Sequence, residues 1–191
     1  DLFSPRQDVK VDGKRVIFTG NMTYFPNTDG AKFLVRNIWP LVKLRIPDAR
    51  LYLVGQNPPP AISQLASEDV IVTGFVPSIQ EEYAKSAVTV SPIRFGAGIL
   101  NKVLEPLAMG IPVVCTDIGV SGLGLEPGKD ILVADSAEGL AGHIVRLLSD
   151  PSYRQAIGES AMRRIRSEFS WRTIGKTLQS MYEQVARRKA D

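Results

Sequence analysis

The sequence predicts an α/β protein, a Rossmann-like three-layer α/β/α domain on a parallel sheet of about six strands. Three observations predict it. Short apolar runs alternate with helical patterns almost from end to end, the signature of successive βαβ units. The runs are near-continuous Val, Ile and Leu, so both faces of each strand need cover. At 191 residues, 44% hydrophobic and 23% charged, the chain suits one domain that buries roughly 70% of its unfolded surface.

Each element follows from local signals. Arg15–Gly20 (RVIFTG) is a buried strand ending in glycine. Gly30–Leu44 is helical, with Phe33, Leu34, Ile38, Leu41 and Val42 near a 3.6-residue spacing and a kink expected at Pro40. A strand at Arg50–Gly55, a turn bearing Pro58, Pro59 and Pro60, and a short helix come next. Val70–Thr73 is the third strand and leads to Gly74; Ile79–Ser86 is a short helix. The fourth strand, Ala87–Ser91, runs into the glycine-bearing loop Pro92–Gly98. A helix from Leu100 to Met109 is closed by Gly110, and Pro112–Thr116 is the fifth strand. Ile131–Ala134 is the sixth, and helices fill Ala137–Leu148, Pro151–Glu168 and Trp171–Arg187. Asp150-Pro151 is a helix start, with the cap and the first-turn proline in order.

Composition excludes several function classes. A single cysteine, Cys115, rules out an internal disulfide framework, and its apolar neighbourhood makes it a buried inert thiol. A single histidine, His143, rules out a multi-imidazole metal site and sits in an amphipathic helical stretch. No Asp-x-Asp pair is present to hang a divalent metal on a diphosphate. No apolar run approaches the ~20 residues of a membrane span. From Arg154 onward nine basic residues face four acidic ones, against 14 and 16 before it. A solvated helix face explains that excess, and attraction to anionic lipid or to a partner domain is its functional alternative. Nucleic-acid binding is not expected, because no aromatic-rich basic strand accompanies the charge.

In parallel sheets ligands bind beyond the C-terminal ends of the strands, where the strand order reverses. The most informative loop there is Ser91 to Gly110. A strand ends, Gly96 and Gly98 let the backbone approach a ligand, and a helix begins. Free N–H groups and the macrodipole make such a helix start an anion site. Arg94 and Lys102 flank it, and Glu105 lies one turn deeper, where a carboxylate can accept the hydroxyls of a ribose. Together these describe a nucleoside diphosphate laid along a helix start. The same Lys102–Glu105 spacing also describes a plain surface ion pair.

The segments Phe18-Thr-Gly-Asn-Met22 with Pro26-Asn27, Leu53-Val-Gly55, Val72-Thr-Gly-Phe-Val-Pro77 and Pro92-Ile-Arg-Phe-Gly-Ala-Gly-Ile99 form one ordered set. Asn101-Lys-Val-Leu-Glu105, Ala108-Met-Gly-Ile-Pro-Val-Val114 and Ser121-Gly-Leu123 complete it. From Leu2 to Trp171 the chain resembles the C-terminal, donor-binding domain of the family-4 (group 1) glycosyltransferases of the GT-B fold. It is most similar to the exopolysaccharide type of bacterial sugar transferase.

The resemblance implies a nucleoside diphosphate sugar (UDP-, GDP- or ADP-sugar) as donor, no cofactor, and retaining, metal-independent transfer to a polysaccharide or glycoconjugate acceptor. It places Glu105 on the ribose, Gly96, Ala97, Gly98, Ile99 and Leu100 on the diphosphate and sugar, and Gly74, Phe75 and Val76 on the base. Lys102 and Arg94 would stabilise the leaving diphosphate. Two departures stand out. Ala97 occupies the position of the first glutamate of the family's pair. Asn21 and Met22 follow Gly20 where many relatives place Arg and Lys, and Arg94 is expected to compensate.

The resemblance further divides the chain into an interdomain linker remnant (1–14), the donor-binding domain (15–170) and a C-terminal helix (171–191). That helix would pack back on an N-terminal, acceptor-binding domain missing from this chain. Cytoplasmic placement is implied, with the longer enzyme peripheral to the inner membrane. Two other classes stay open: a non-transferase GT-B enzyme half of epimerase type, and a non-catalytic domain that keeps the fold. A dinucleotide-dependent oxidoreductase is disfavoured, since Gly20-Asn-Met-Thr-Tyr-Phe25 lacks the Gly-x-Gly-x-x-Gly turn.

Overall fold

The computed structural model describes residues 2–96 and 98–188. Six parallel strands form one sheet: β1 (Asp12–Thr19), β2 (Arg50–Val54), β3 (Val70–Gly74), β4 (Ser86–Ser91), β5 (Val113–Cys115) and β6 (Leu132–Val133). Their spatial order is β3-β2-β1-β4-β5-β6. Three strands are thus added outward on each side of the β1/β4 boundary, which is where the order reverses. The three-layer parallel architecture read from the sequence is the one observed.

The strands cannot stand without helices on both sides. Val16 and Phe18 of β1 face one way and Ile17 the other, all fully buried. The first face packs against α1 (Phe25–Phe33), the helical turn Leu34–Ile38, α2 (Trp39–Arg45) and α7 (Ala137–Ser149) through Ala31, Leu34, Ile38, Val42, Leu140 and Ile144. The second is covered by α4 (Ile79–Ala84), α5 (Asn101–Ala108) and α8 (Pro151–Glu168), through Tyr83, Val103, Leu107, Ala161 and Ile165. Short helices α3 (Pro60–Ser63) and α6 (Asp117–Val120) sit in connections, and α9 (Trp171–Arg188) ends the described chain.

Where structure and expectation differ, the causes are local. The kink expected at Pro40 is instead a π-helical turn, Leu34–Ile38, between α1 and α2. Proline lacks an N–H and clashes with the carbonyl four residues back, so widening the turn before it relieves both problems. The first helix starts at Phe25 rather than Gly30, with Pro26 in its first turn. Strand β1 begins at Asp12, three residues before the expected start. Helix α6, only four residues long and close behind β5, carries no periodic pattern long enough to announce it.

The caps follow the sequence closely. Asp150 accepts from the Tyr153 N–H at 2.9 Å with Pro151 in the first turn of α8. Gly110, at φ +79°, lets the Gly110 and Ile111 amides turn back onto the Leu107 and Pro106 carbonyls and close α5. Helix α9 is different in kind. Trp171, Leu178, Met181 and Tyr182 are 88%, 48%, 59% and 72% exposed, so its apolar stripe is largely open to solvent.

Candidate functional site

A cleft of about 510 Å³ opens at the C-terminal edge of the sheet and runs from the loop after β3 to the start of α5. It crosses three strand spacings, about 14 Å, which is the length scale of an extended nucleoside diphosphate. Its floor exists because two glycines let loops touch. A Cβ on Gly55 would lie 1.7 Å from the Gly20 carbonyl oxygen, so only glycine allows the turns after β1 and β2 to pack together.

At the β1/β4 end, α5 begins without a side-chain cap: Leu100 stands at the cap position and makes no side-chain hydrogen bond. Gly96 and Gly98 precede it at φ +137° and +86°, with open space where a side chain would go. The uncapped helix start therefore offers N–H groups and a positive dipole end to the cleft.

Lys102 lines the cleft at this point, its Nζ hydrogen-bonded to Asn27 Oδ1 and 5.0 Å from the centre of the Phe18 ring. Burial without a carboxylate partner lowers its pKa to about 8. Among the described residues it forms no ion pair with Glu105 or any other carboxylate. The plain surface-pair reading of the Lys102–Glu105 spacing is thereby set aside.

Glu105 lies one turn deeper on the cleft wall, with the Tyr83 hydroxyl 3.4 Å from Oε2. Burial raises the Glu105 pKa, and the Tyr83 hydrogen bond opposes that. Tyr83, almost fully buried, also shares a 2.7 Å hydrogen bond with Thr19 Oγ1 at the end of β1. Burial pushes the phenol upward, so it stays protonated and can donate to the carboxylate.

At the opposite end Phe75, 75% exposed, and Val76 form the wall after β3, with Gly74 at φ +71° just before them. Gln56 and Ile79 complete that end.

Of the residues anticipated from sequence, the cleft brings together Gly20, Asn21, Phe75, Val76, Ile99, Leu100, Lys102 and Glu105. Gly74, Gly96 and Gly98 flank it, and Ala97 lies outside the described residues. Arg94 is a correction. It does not line the cleft; its Nε and Nη2 donate to the two carboxylate oxygens of Asp29 at 2.9 and 2.7 Å, and the guanidinium covers Phe33. A bidentate partner on α1 claims the charge that was expected to compensate for Asn21 and Met22. Replacing Arg94 with alanine is accordingly expected to change nucleoside and nucleoside diphosphate affinities equally, by less than about threefold, in side-by-side titrations.

Sequence reasoning missed Asn27, Gly55 and Tyr83 as site residues. Asn27 and Gly55 lay inside segments that had been singled out, but the contact that gives each its role is tertiary. Tyr83 lies in the short helix after β3, and no local signal carries its hydroxyl under the sheet. Elsewhere Cys115 is fully buried and burial pushes its thiol up to about 12, which keeps it unreactive. His143 rests against the Val133 carbonyl, 3.3 Å away.

Comparison with known proteins gives concordant results. The family model described as Glycosyl transferases group 1 matches residues 13–150. TuaC of Bacillus subtilis (strain 168), a glycosyltransferase assigned to teichuronic acid biosynthesis, is 29% identical over 67% of this chain and 33% of its own length. The lipopolysaccharide core biosynthesis mannosyltransferase LpcC of Rhizobium leguminosarum bv. viciae is 26% identical over 62% of this chain and 34% of its own.

Among solved structures, an S. aureus TarM variant in complex with Fondaparinux, alpha-GlcNAc-glycerol and UDP superposes with TM-score 0.81. It is 17% identical, over 95% of this chain and 38% of that one. Anabaena HepE in complex with UDP and glucose gives TM-score 0.72 at 16% identity, over 89% of this chain and 48% of that one. The isolated C-terminal domain of a Francisella tularensis group 1 protein, also called LpcC, gives TM-score 0.70 at 17% identity, with 89% and 97% covered. The chain spans about a third to a half of the length of the curated relatives it matches.

Proposed function

We propose that this chain, which belongs to the group 1 glycosyl transferases, binds the nucleoside diphosphate of a sugar donor in the cleft between the β3 loop and α5. One observation carries the reading: a part-buried lysine that pairs with no carboxylate among the described residues, beside an uncapped helix start, with a carboxylate one turn deeper, all at the reversal of the strand order. Anion and polyol sites lie in series at the spacing a nucleotide requires. The diphosphate lies against the α5 N-terminus and Lys102, the ribose reaches Glu105, and the base rests between Phe75 and Val76.

The chemistry that follows is retaining transfer of the sugar in which protein groups meet the charge of the departing diphosphate. Donors aimed at developing charge in a site shielded from water are the strongest device for this. Lys102 and the free N–H groups of α5 supply them without a metal ion. UDP is the first nucleoside diphosphate to test, because the TarM and HepE structures that share this fold contain it.

The acceptor side belongs to a second domain that faces the cleft. The bare apolar stripe of α9 supports this, since a face built from Trp171, Leu178 and Met181 needs a partner. The full enzyme would then act in cell-surface polysaccharide or glycoconjugate synthesis at the cytoplasmic side of the membrane. Among the described residues no helix is long and apolar enough to cross a membrane.

The test is calorimetric titration of the chain with UDP, GDP, ADP and the matching nucleosides without added metal. One diphosphate should bind selectively. Replacing Glu105 with alanine should weaken that diphosphate and its nucleoside alike, by roughly 10-fold or more for a lost hydrogen bond to a charged group. The 2′-deoxynucleotide should bind wild type more weakly than the ribonucleotide and lose little further in the variant. Equal binding of ribo and deoxy forms by wild type would take the ribose away from Glu105. Absence of binding for all three diphosphates would sink the donor-site reading for this chain.

A further inference from the structure

Lys102 owes its position to a neutral partner. Asn27, 7% exposed near the start of α1, donates an Nδ2 hydrogen to the Asn21 carbonyl at 2.8 Å, which fixes the direction of the amide. Its Oδ1 must then face the cleft, where it accepts from Lys102 Nζ. Gly20 completes the arrangement, for a Cβ there would lie 2.7 Å from Asn27 Nδ2 and 3.0 Å from Lys102 Nζ. The ammonium is thus held by one amide oxygen and the Phe18 ring, between the turn after β1 and the first turn of α5.

We propose that Asn27 is a positioning residue that aims the Lys102 ammonium into the cleft through a neutral hydrogen bond, leaving its charge uncompensated for the donor diphosphate. An amide and a carboxylate at this position have the same shape and opposite consequences. Aspartate would make a close ion pair with Lys102 and cancel the field a diphosphate needs; the amide orients without cancelling.

The other charged and titratable groups around Lys102 are already engaged. Asp29 of the same helix α1 is held by Arg94, and Glu105 of α5 is bonded to Tyr83 of α4. Asn27 therefore decides alone, among these groups, how much charge Lys102 presents. The ligand in this inference rests on the donor-site reading; the Asn27–Lys102 contact rests on geometry.

The experiment has two readouts on the 191-residue chain. In the first, lysine-labelled protein is titrated by NMR without nucleotide, with Lys102→Arg identifying the resonance. The wild-type midpoint should lie near 8. Asn27→Asp should raise it and Asn27→Ala should lower it, because one adds a charge partner and the other removes an acceptor. A purely structural asparagine would shift both variants the same way or neither, and that result overturns the proposal even if no nucleotide binds. Either variant decides if the other does not fold.

In the second readout, UDP and uridine are titrated into each protein. Asn27→Asp should lose at least tenfold for UDP, Asn27→Ala less, and uridine should change little in both. Parallel loss of UDP and uridine, or undiminished UDP binding by Asn27→Asp, overturns it. Wild type failing to bind UDP while the midpoints move as expected would sink the uridine assignment and leave the positioning contact standing.

Discussion

Replacing Lys102 with methionine is expected to remove most of the chain's preference for a nucleoside diphosphate over its nucleoside while making the fold more stable. The binding loss follows from one charge-assisted hydrogen bond, about 1.5–3 kcal/mol or roughly 10- to 150-fold, with no comparable loss for the nucleoside. The stability gain follows from the position of the ammonium, part-buried beside Phe18 with, among the described residues, an amide and no carboxylate for a partner. Burial lowers its pKa to about 8, from the ordinary lysine value of 10.5. The cost of keeping it charged at neutral pH is at most roughly 3–4 kcal/mol.

The sign can be checked against pH. Between about 8 and 10.5 the unfolded chain holds a proton at Lys102 that the folded chain has released. Stability from this group therefore rises with pH across that window, and the methionine variant should lack the rise. Diphosphate affinity should run the other way. It is highest below about 8 and falls as pH climbs through that value, while the variant stays flat. Titrations at pH 6.5 and 9 alongside thermal melts would show both trends. A variant that melts lower than wild type and binds the diphosphate as tightly would contradict the placement of Lys102 at the site.

Gly55→Ala is expected to be the most damaging single methyl group near the cleft. Its Cβ would meet the Gly20 carbonyl oxygen at 1.7 Å and the carbonyl carbon at 2.9 Å, both backbone atoms that no rotamer change can move. Overpacking of this kind costs about 1–3 kcal/mol or more. For a domain of this size that lowers Tm by roughly 5–10 °C. The displaced Gly20 turn is also what orients Asn21 and Asn27, so diphosphate binding should fall with it. Gly142→Ala is the matching control. That glycine is exposed inside α7 with nothing within 4 Å of the added carbon, so the change should stabilise by about 0.5–1 kcal/mol. Equal melting temperatures for the two variants would mean that the β1 and β2 turns do not pack as described.

By itself the sequence determined the layer architecture, the strand count and the loop that opens the cleft. These are local matters. Continuous apolar strands such as Val16-Ile17-Phe18, glycines at Gly96, Gly98 and Gly110, and the Asp150-Pro151 start each act within a few residues of where they stand. The strand order and the partners of the charged side chains were decided only by tertiary structure. Arg94 and Lys102 looked alike as basic residues flanking a glycine loop. Folding brings Asp29 to one, 65 residues away, and Asn27 to the other, 75 residues away. A carboxylate neutralises Arg94 outside the cleft; an amide leaves Lys102 charged within it. Tyr83 likewise reaches Thr19 and Glu105 only because α4 and α5 cover the same face of the sheet. Backbone conformation answers to neighbours in sequence, whereas the electrostatics of a site answer to neighbours in space, and those are fixed only when the sheet is assembled.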